Sequence, residues 1–119
     1  MKWVLDKNRP VCPQICEMLC VDIAKGAFGP DYRLPSVREL ATALGVNPNT
    51  VQRAFEELER DGIVYSVRGS GWFVGADVSL AKAVLERIIQ EKTAVYLKEM
   101  VALGMDLKAA KTYVKEWSE

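Results

Sequence analysis

The chain contains no histidine, which removes the commonest general acid/base and the commonest transition-metal ligand. It also has no surplus of either charge. Sixteen basic and sixteen acidic residues cancel, and the balance holds on both sides of Gly75, with nine of each sign up to it and seven of each beyond. Bulk charge therefore gives no affinity for a polyanion, and binding to nucleic acid must depend on where individual cations sit. No run of about eighteen apolar residues occurs, and the opening MKWVLDKNRP lacks the apolar centre of a signal peptide, so no membrane association and a cytoplasmic location are expected. Internal repeats, low-complexity tracts and a phosphate-binding glycine loop are also missing; Gly69-Ser70-Gly71 is too short for such a loop and leads into a strand, not a helix. Acidic neighbours such as Glu56 and Glu57 lie on a helix flank, which does not build a carboxylate pair across a cleft. Neither an enzyme nor a cofactor is expected. With 119 residues, one core with a helical appendage is affordable, but a second, full effector-binding domain is not expected.

What is present centres on the stretch from Leu34 to Val74. Ser36 followed three residues later by Glu39, just ahead of an apolar run, is a capping box in which each side chain satisfies the other residue's backbone N–H. Gly45 ends that short helix. Asn47 caps the next, with Pro48 in its first turn where a missing N–H does no harm. Leu40, Leu44, Val46, Val51, Phe55 and Leu58 recur at helical spacing on facing sides, so the two helices share a core at a steep angle: a helix-turn-helix. Asn49, Thr50, Gln52, Arg53 and Glu56 are left on the opposite side of the second helix. Polar side chains of this kind near a helix N-terminus read base edges in a major groove, although an ordinary solvated face would look similar. The flanks favour the former. After Gly62, residues 63–67 and 72–74 are rich in β-branched and aromatic residues, and Arg68-Gly69-Ser70-Gly71 supplies a turn with a cation at its base. A hairpin after a helix-turn-helix is a wing.

Through LPSVRELA, GVNPNTVQRAFEELERDGIV and RGSGWFV, in this order and spacing, the chain resembles the GntR family of bacterial transcription regulators. NPNTVQRAF with only a short chain after the wing resembles the YtrA-type subgroup, in which a small helical dimerisation element replaces the large effector domain. The resemblance implies a dimeric DNA-binding repressor, acting on nearby genes that are often those of membrane transporters. It also implies operator contacts at Arg38, along Asn47 to Arg53, and at Arg68 and Gly69. Many members carry arginine where this chain has Gln52, with the basic residue here displaced to Arg53. The expected interface with double-stranded DNA therefore comprises Arg33, Ser36, Arg38, Asn47, Asn49, Thr50, Gln52, Arg53, Arg68 and Gly69. The alternative function is a winged-helix module for protein assembly, which would more often present apolar groups at these positions. No small-molecule effector is assigned.

Residues 1–10 read as an extended lead-in, with Trp3 packed against the domain. From Val11 or Pro13 to about Lys25, Ile15, Leu19 and Ile23 repeat every four residues with Met18 beside them, predicting a helix packed under the other two. Phe28, Tyr32 and Leu34 are expected to cover the end of this bundle. Cys12, Cys16 and Cys20 lie on one stripe of the same helix. Cβ atoms four residues apart on a helix are about 6 Å apart, too far for a disulfide. Three thiols without a histidine form an incomplete zinc set, so the stripe reads as packing and no metal site is expected.

Beyond the wing, Asp77 or Ser79 opens a long helix that runs to about Leu103 and is closed by Gly104. Leu80, Val84, Ile88 and Val95 form one apolar stripe; Leu85, Ile89, Tyr96, Met100 and Leu103 form its neighbour. Asp106 caps a last helix with Leu107, Ala110, Tyr113, Val114 and Trp117 at spacings of three and four. Two helices have too little interior to bury all of these, and an exposed stripe of this size marks a partner surface. A second copy is the simplest partner, with Leu85, Ile89, Tyr96, Met100 and Trp117 at the interface. The expected fold is mainly α with a small β-hairpin: a winged helix-turn-helix domain over 1–75, then a two-helix dimerisation hairpin over 76–119.

Overall fold

The computed structural model describes residues 3–118. They form helix α1 (Val11–Ala24), α2 (Val37–Leu44), α3 (Pro48–Arg60), strands β1 (Val64–Val67) and β2 (Gly71–Val74), then α4 (Ser79–Ala102) and α5 (Leu107–Glu116). These residues divide into two compact units, the first reaching Leu85 and the second starting at Glu86.

In the first unit the local signals produce the expected elements. Ser36 Oγ accepts from the Glu39 N–H at 3.0 Å, the Glu39 carboxylate accepts from the Ser36 N–H at 3.4 Å, and α2 ends on a left-handed Gly45. Asn47 Oδ1 accepts from the Asn49 N–H at 2.8 Å to start α3, with Pro48 in its first turn. The apolar faces then meet. Ile15, Leu19 and Ile23 of α1, Leu40 and Ala41 of α2, and Val51, Ala54, Phe55 and Leu58 of α3 are all buried, with Ile63, Val64 and Val74 closing the core from the wing side. Leu44 and Val46 are partly buried against the same cluster. Each fully buried large apolar side chain contributes about 1.5–3 kcal/mol, which is what holds helices this short in place.

The wing pairs β1 with β2 antiparallel, from Val64 opposite Val74 to Val67 opposite Gly71. The outer edge of β2 is not left bare. The Leu34 N–H donates to the Trp72 carbonyl at 2.8 Å and the Val74 N–H to the Tyr32 carbonyl at 2.9 Å, with Arg33 bridged antiparallel to Phe73. This third edge carries no periodic signature of its own. It turns at Asp31, whose positive φ of 63° an aspartate tolerates and whose carboxylate accepts from the Tyr65 hydroxyl at 2.9 Å. Leu34 is buried and Phe28 packs against the core, as expected, but Tyr32 does not cover the bundle's end. Its ring is 54% exposed and stacks on Phe28 instead, because its backbone is committed to β2.

Trp3 packs on the domain, its indole N–H donating to Asp22 at 2.9 Å. The lead-in is held by Gln14, a buried polar residue. Its amide donates to the carbonyls of Asp6, Arg9 and Pro10 and accepts from the Asp6 N–H at 2.7 Å, so burial leaves no unpaired polar atom. At the other end, Gly75 is buried and donates to the Ile63 carbonyl. Ala81 joins the core, and Val78 and Val84 pack against it. The opening turns of α4 thus pack with the first compact unit.

The second unit comprises the rest of α4, a turn at Gly104, and α5, whose cap Asp106 accepts from the Ala109 N–H at 2.7 Å. Ala110 is buried within it. Tyr96, Met100, Leu103, Met105, Tyr113, Val114 and Trp117 line an apolar cleft of about 570 Å³. Among the described residues no helix is long and apolar enough to cross a membrane.

Candidate nucleic-acid interface

Because Asn47 caps α3 and Pro48 contributes no N–H, the first turn projects side chains outward from a partly positive helix end. Asn49, Gln52 and Arg53 are exposed and Thr50 is half-buried. Gln52 is not free: its amide donates to Glu56 Oε1 at 3.1 Å, one turn along the helix. Arg53 therefore stands as the unpaired long polar side chain at the middle of this face.

Three further arginines flank it. Arg38 is exposed in the first turn of α2, two residues after the cap Ser36. Arg33 is bridged to Phe73 and its side chain runs along β2 toward the turn, so that a Cβ placed on Gly71 would lie 3.6 Å from its Nε. Arg68 and Gly69 are exposed at the wing's tip, where Gly69 takes a φ of +82° that suits a residue without a side chain. Among the described residues the ion pairs are Arg9 with Glu17 and Arg87 with Glu91, so Arg33, Arg38, Arg53 and Arg68 are in none. Their charges remain available to phosphates despite the chain's neutrality. The nearby acids are partly occupied, Glu59 by the Ser66 hydroxyl at 2.9 Å and Glu56 by Gln52. Helix, loop and wing form one body, joined by the stacked rings of Phe55 and Trp72 and by the hydrogen bonds of residues 32–34 to β2.

On the remaining α1 stripe, Cys20 is buried while Cys12 and Cys16 are half-buried. The Cys12 and Cys16 sulfurs and a Glu57 carboxylate oxygen all lie within 4.8 Å of one another. The Cys16 thiol donates to the Ala54 carbonyl at 3.5 Å and to Glu57 Oε2 at 3.6 Å. Burial pushes both thiols above their ordinary acidity range, and the negative charge of Glu57 pushes them the same way. Glu57 lies on a helix far from the cysteines in sequence, so no local signal announced it. Of the expected self-association residues, Tyr96, Met100 and Trp117 share the cleft of the second unit, while Ile89 is exposed and Leu85 half-buried outside it.

A capped helix-turn-helix followed by a wing, with unpaired arginines on helix, loop and wing tip, defines a winged-helix DNA-binding protein. Residues 13–74 match the family described as bacterial regulatory proteins, gntR family. The HTH-type transcriptional repressor YtrA of Bacillus subtilis is 35% identical over 93% of this chain and 86% of its own length. A GntR family transcriptional regulator from Listeria monocytogenes superimposes with a TM-score of 0.81 at 35% identity, covering 96% of this chain and all of the other. AraR(DBD), solved in complex with an operator, superimposes with a TM-score of 0.55 at 32% identity over 63% of this chain and 92% of its own. The chain belongs to the GntR family and is a DNA-binding transcriptional regulator, not an enzyme.

Proposed function

We propose that this regulator is a homodimeric, sequence-specific repressor that acts in the cytoplasm on an inverted-repeat operator near transporter-type genes. Asn47, Asn49, Thr50, Gln52 and Arg53 present the start of α3 to the major groove, with Arg53 as the main base reader. Ser36 and Arg38 at the start of α2, and Arg33 beside the wing, hold phosphates. Arg68 and Gly69 carry the wing tip to the backbone or minor groove. The observation that carries this reading is the set of four arginines without ion pairs on a single rigid body of helix, loop and wing. A module for protein assembly would gain nothing from keeping them unpaired.

Dimerisation is supported by the second unit, whose apolar cleft is too open for two helices to fill, with Trp117 63% exposed at its edge. Similarity to YtrA, named a repressor, supports the direction of control. Selection of bound sequences from a random duplex pool, followed by footprinting, tests the proposal. A two-fold symmetric motif is expected; enrichment of no motif would reject sequence-specific binding.

A further inference from the structure

We propose that Cys12 and Cys16 of α1 and Glu57 of α3 form a binding site for a thiophilic divalent cation of the zinc type, which pins α1 to the recognition helix. Each residue offers one ligand atom, and the three atoms lie within 4.8 Å of one another. A tetrahedral zinc ion with bonds of about 2.3 Å to sulfur and 2.0–2.2 Å to oxygen separates its ligand atoms by about 3.5–3.8 Å. Small side-chain rotations close that difference.

The helical spacing itself selects this chemistry. Residues four apart hold their Cβ atoms about 5–6 Å apart, beyond the roughly 3.5–4.5 Å of a disulfide. Two thiolates on a common ion need only their sulfurs to converge, which side chains on one helix stripe accomplish. The sequence left the thiols short of a ligand, and the fold brings one from α3. Two sulfurs and one carboxylate suit zinc or its analogues and not magnesium or calcium, which take oxygen donors throughout.

Charge also balances. Exchanging two thiol protons for one dication leaves the net charge of the cluster unchanged. Arg53, whose charge is felt at Cys12, therefore faces the same net charge with the ion bound as without it. The fourth position opens to solvent on the side of the exposed Glu57, where water completes the tetrahedron.

The test is titration of the reduced, metal-free full-length protein with Co²⁺, followed by Zn²⁺ competition. One Co²⁺ per chain should bind, with thiolate-to-metal charge-transfer absorption and the intense visible bands of a tetrahedral site, and Zn²⁺ should displace it. Cys12→Ser, at the less buried of the two thiols, should abolish the charge-transfer pattern of a two-sulfur site. Glu57→Gln should keep thiolate absorption but weaken binding at least by the roughly tenfold that even an outer partner costs. Cys20→Ala, which keeps this buried position apolar, should leave the Co²⁺ bands and affinity unchanged. One equivalent of Zn²⁺ should raise the Tm of the wild-type chain and not that of Cys12→Ser. Absence of charge-transfer absorption under excess Co²⁺, or unchanged affinity in Cys12→Ser or Glu57→Gln, would overturn the site. So would its loss in a folded Cys20→Ala chain.

Discussion

Phe55 of α3 and Trp72 of the wing stack with ring centroids 5.2 Å apart and planes 8° from parallel. The Trp72 carbonyl also accepts from the Leu34 N–H at 2.8 Å, one residue beyond Arg33. One wing residue therefore fixes both α3 and the loop that brings a cation beside it. Phe55 is fully buried, so the stack rests on the core and not on solvent-exposed contacts.

Trp72→Leu keeps an apolar side chain but removes the ring pairing. A cost of about 0.5–1.5 kcal/mol beyond the lost area is expected, read from urea unfolding. Operator affinity should fall as well, although no contacting group has been removed, because the wing loses its fixed angle to α3. Unchanged affinity with lowered stability would show that the wing docks independently of the helix.

Arg53→Ala and Arg68→Ala should differ in kind. Loss of a base-reading arginine costs about 1–3 kcal/mol on the operator and relaxes sequence preference, whereas loss of a phosphate or minor-groove contact weakens all duplexes alike and flattens the salt dependence. Titrations on operator and scrambled duplexes at two salt concentrations separate the two. Equal losses on both duplexes for Arg53→Ala would remove it as the base reader.

The parts of the fold legible in the sequence are those whose determinants are close neighbours. The Ser36–Glu39 box, the Asn47 cap and the Asp106 cap each involve residues no more than three apart, and all three form. Periodicity likewise located the core of α1 and α3. What escaped depends on pairings across long separations. The strand-like edge at residues 31–34 exists only because β2 offers unpaired backbone groups. Gln14 is buried because the lead-in folds over it, which no neighbouring residue in α1 signals. Ala81, too small to register as a hydrophobic anchor, is buried because Gly75 lets the chain pass tightly under the hairpin. Glu57 reads as one more acid on a polar flank, and only the packing of α1 on α3 sets it beside two thiols.

Gly75→Ala tests that tight passage. A Cβ there would sit 2.8 Å from the Gly62 carbonyl oxygen and 3.0 Å from that of Ile63, both backbone atoms that cannot rotate away. Relief requires shifting the Gly75–Ile63 hydrogen bond, so a loss of about 1–3 kcal/mol is expected, typical of overpacking. Thermal unfolding should show it. A neutral result would mean that this crossing yields without cost.

Assembly provides the last prediction. If Tyr96, Met100 and Trp117, with Leu85 and Ile89, are the self-association surface, two recognition helices become related by a two-fold axis. Such a pair binds half-sites about one helical turn apart, roughly 10 bp, or a multiple of that. The place to separate the two functions is after Leu85 and not after Gly75. Cutting at Gly75 would strip Val78, Ala81 and Val84 from the core and expose it, confusing misfolding with loss of dimerisation. A chain ending at Leu85 retains the whole first compact unit and should be a folded monomer. Each half-site would then bind separately, and operator affinity should fall by about 10²–10⁴, the gain that tethering gives when the second contact is intramolecular. Sedimentation of both chains, with footprints on one operator, measures each step. A truncated chain that still sediments as a dimer, or a full-length chain that is monomeric at micromolar concentration, would mean that the C-terminal helices serve another partner.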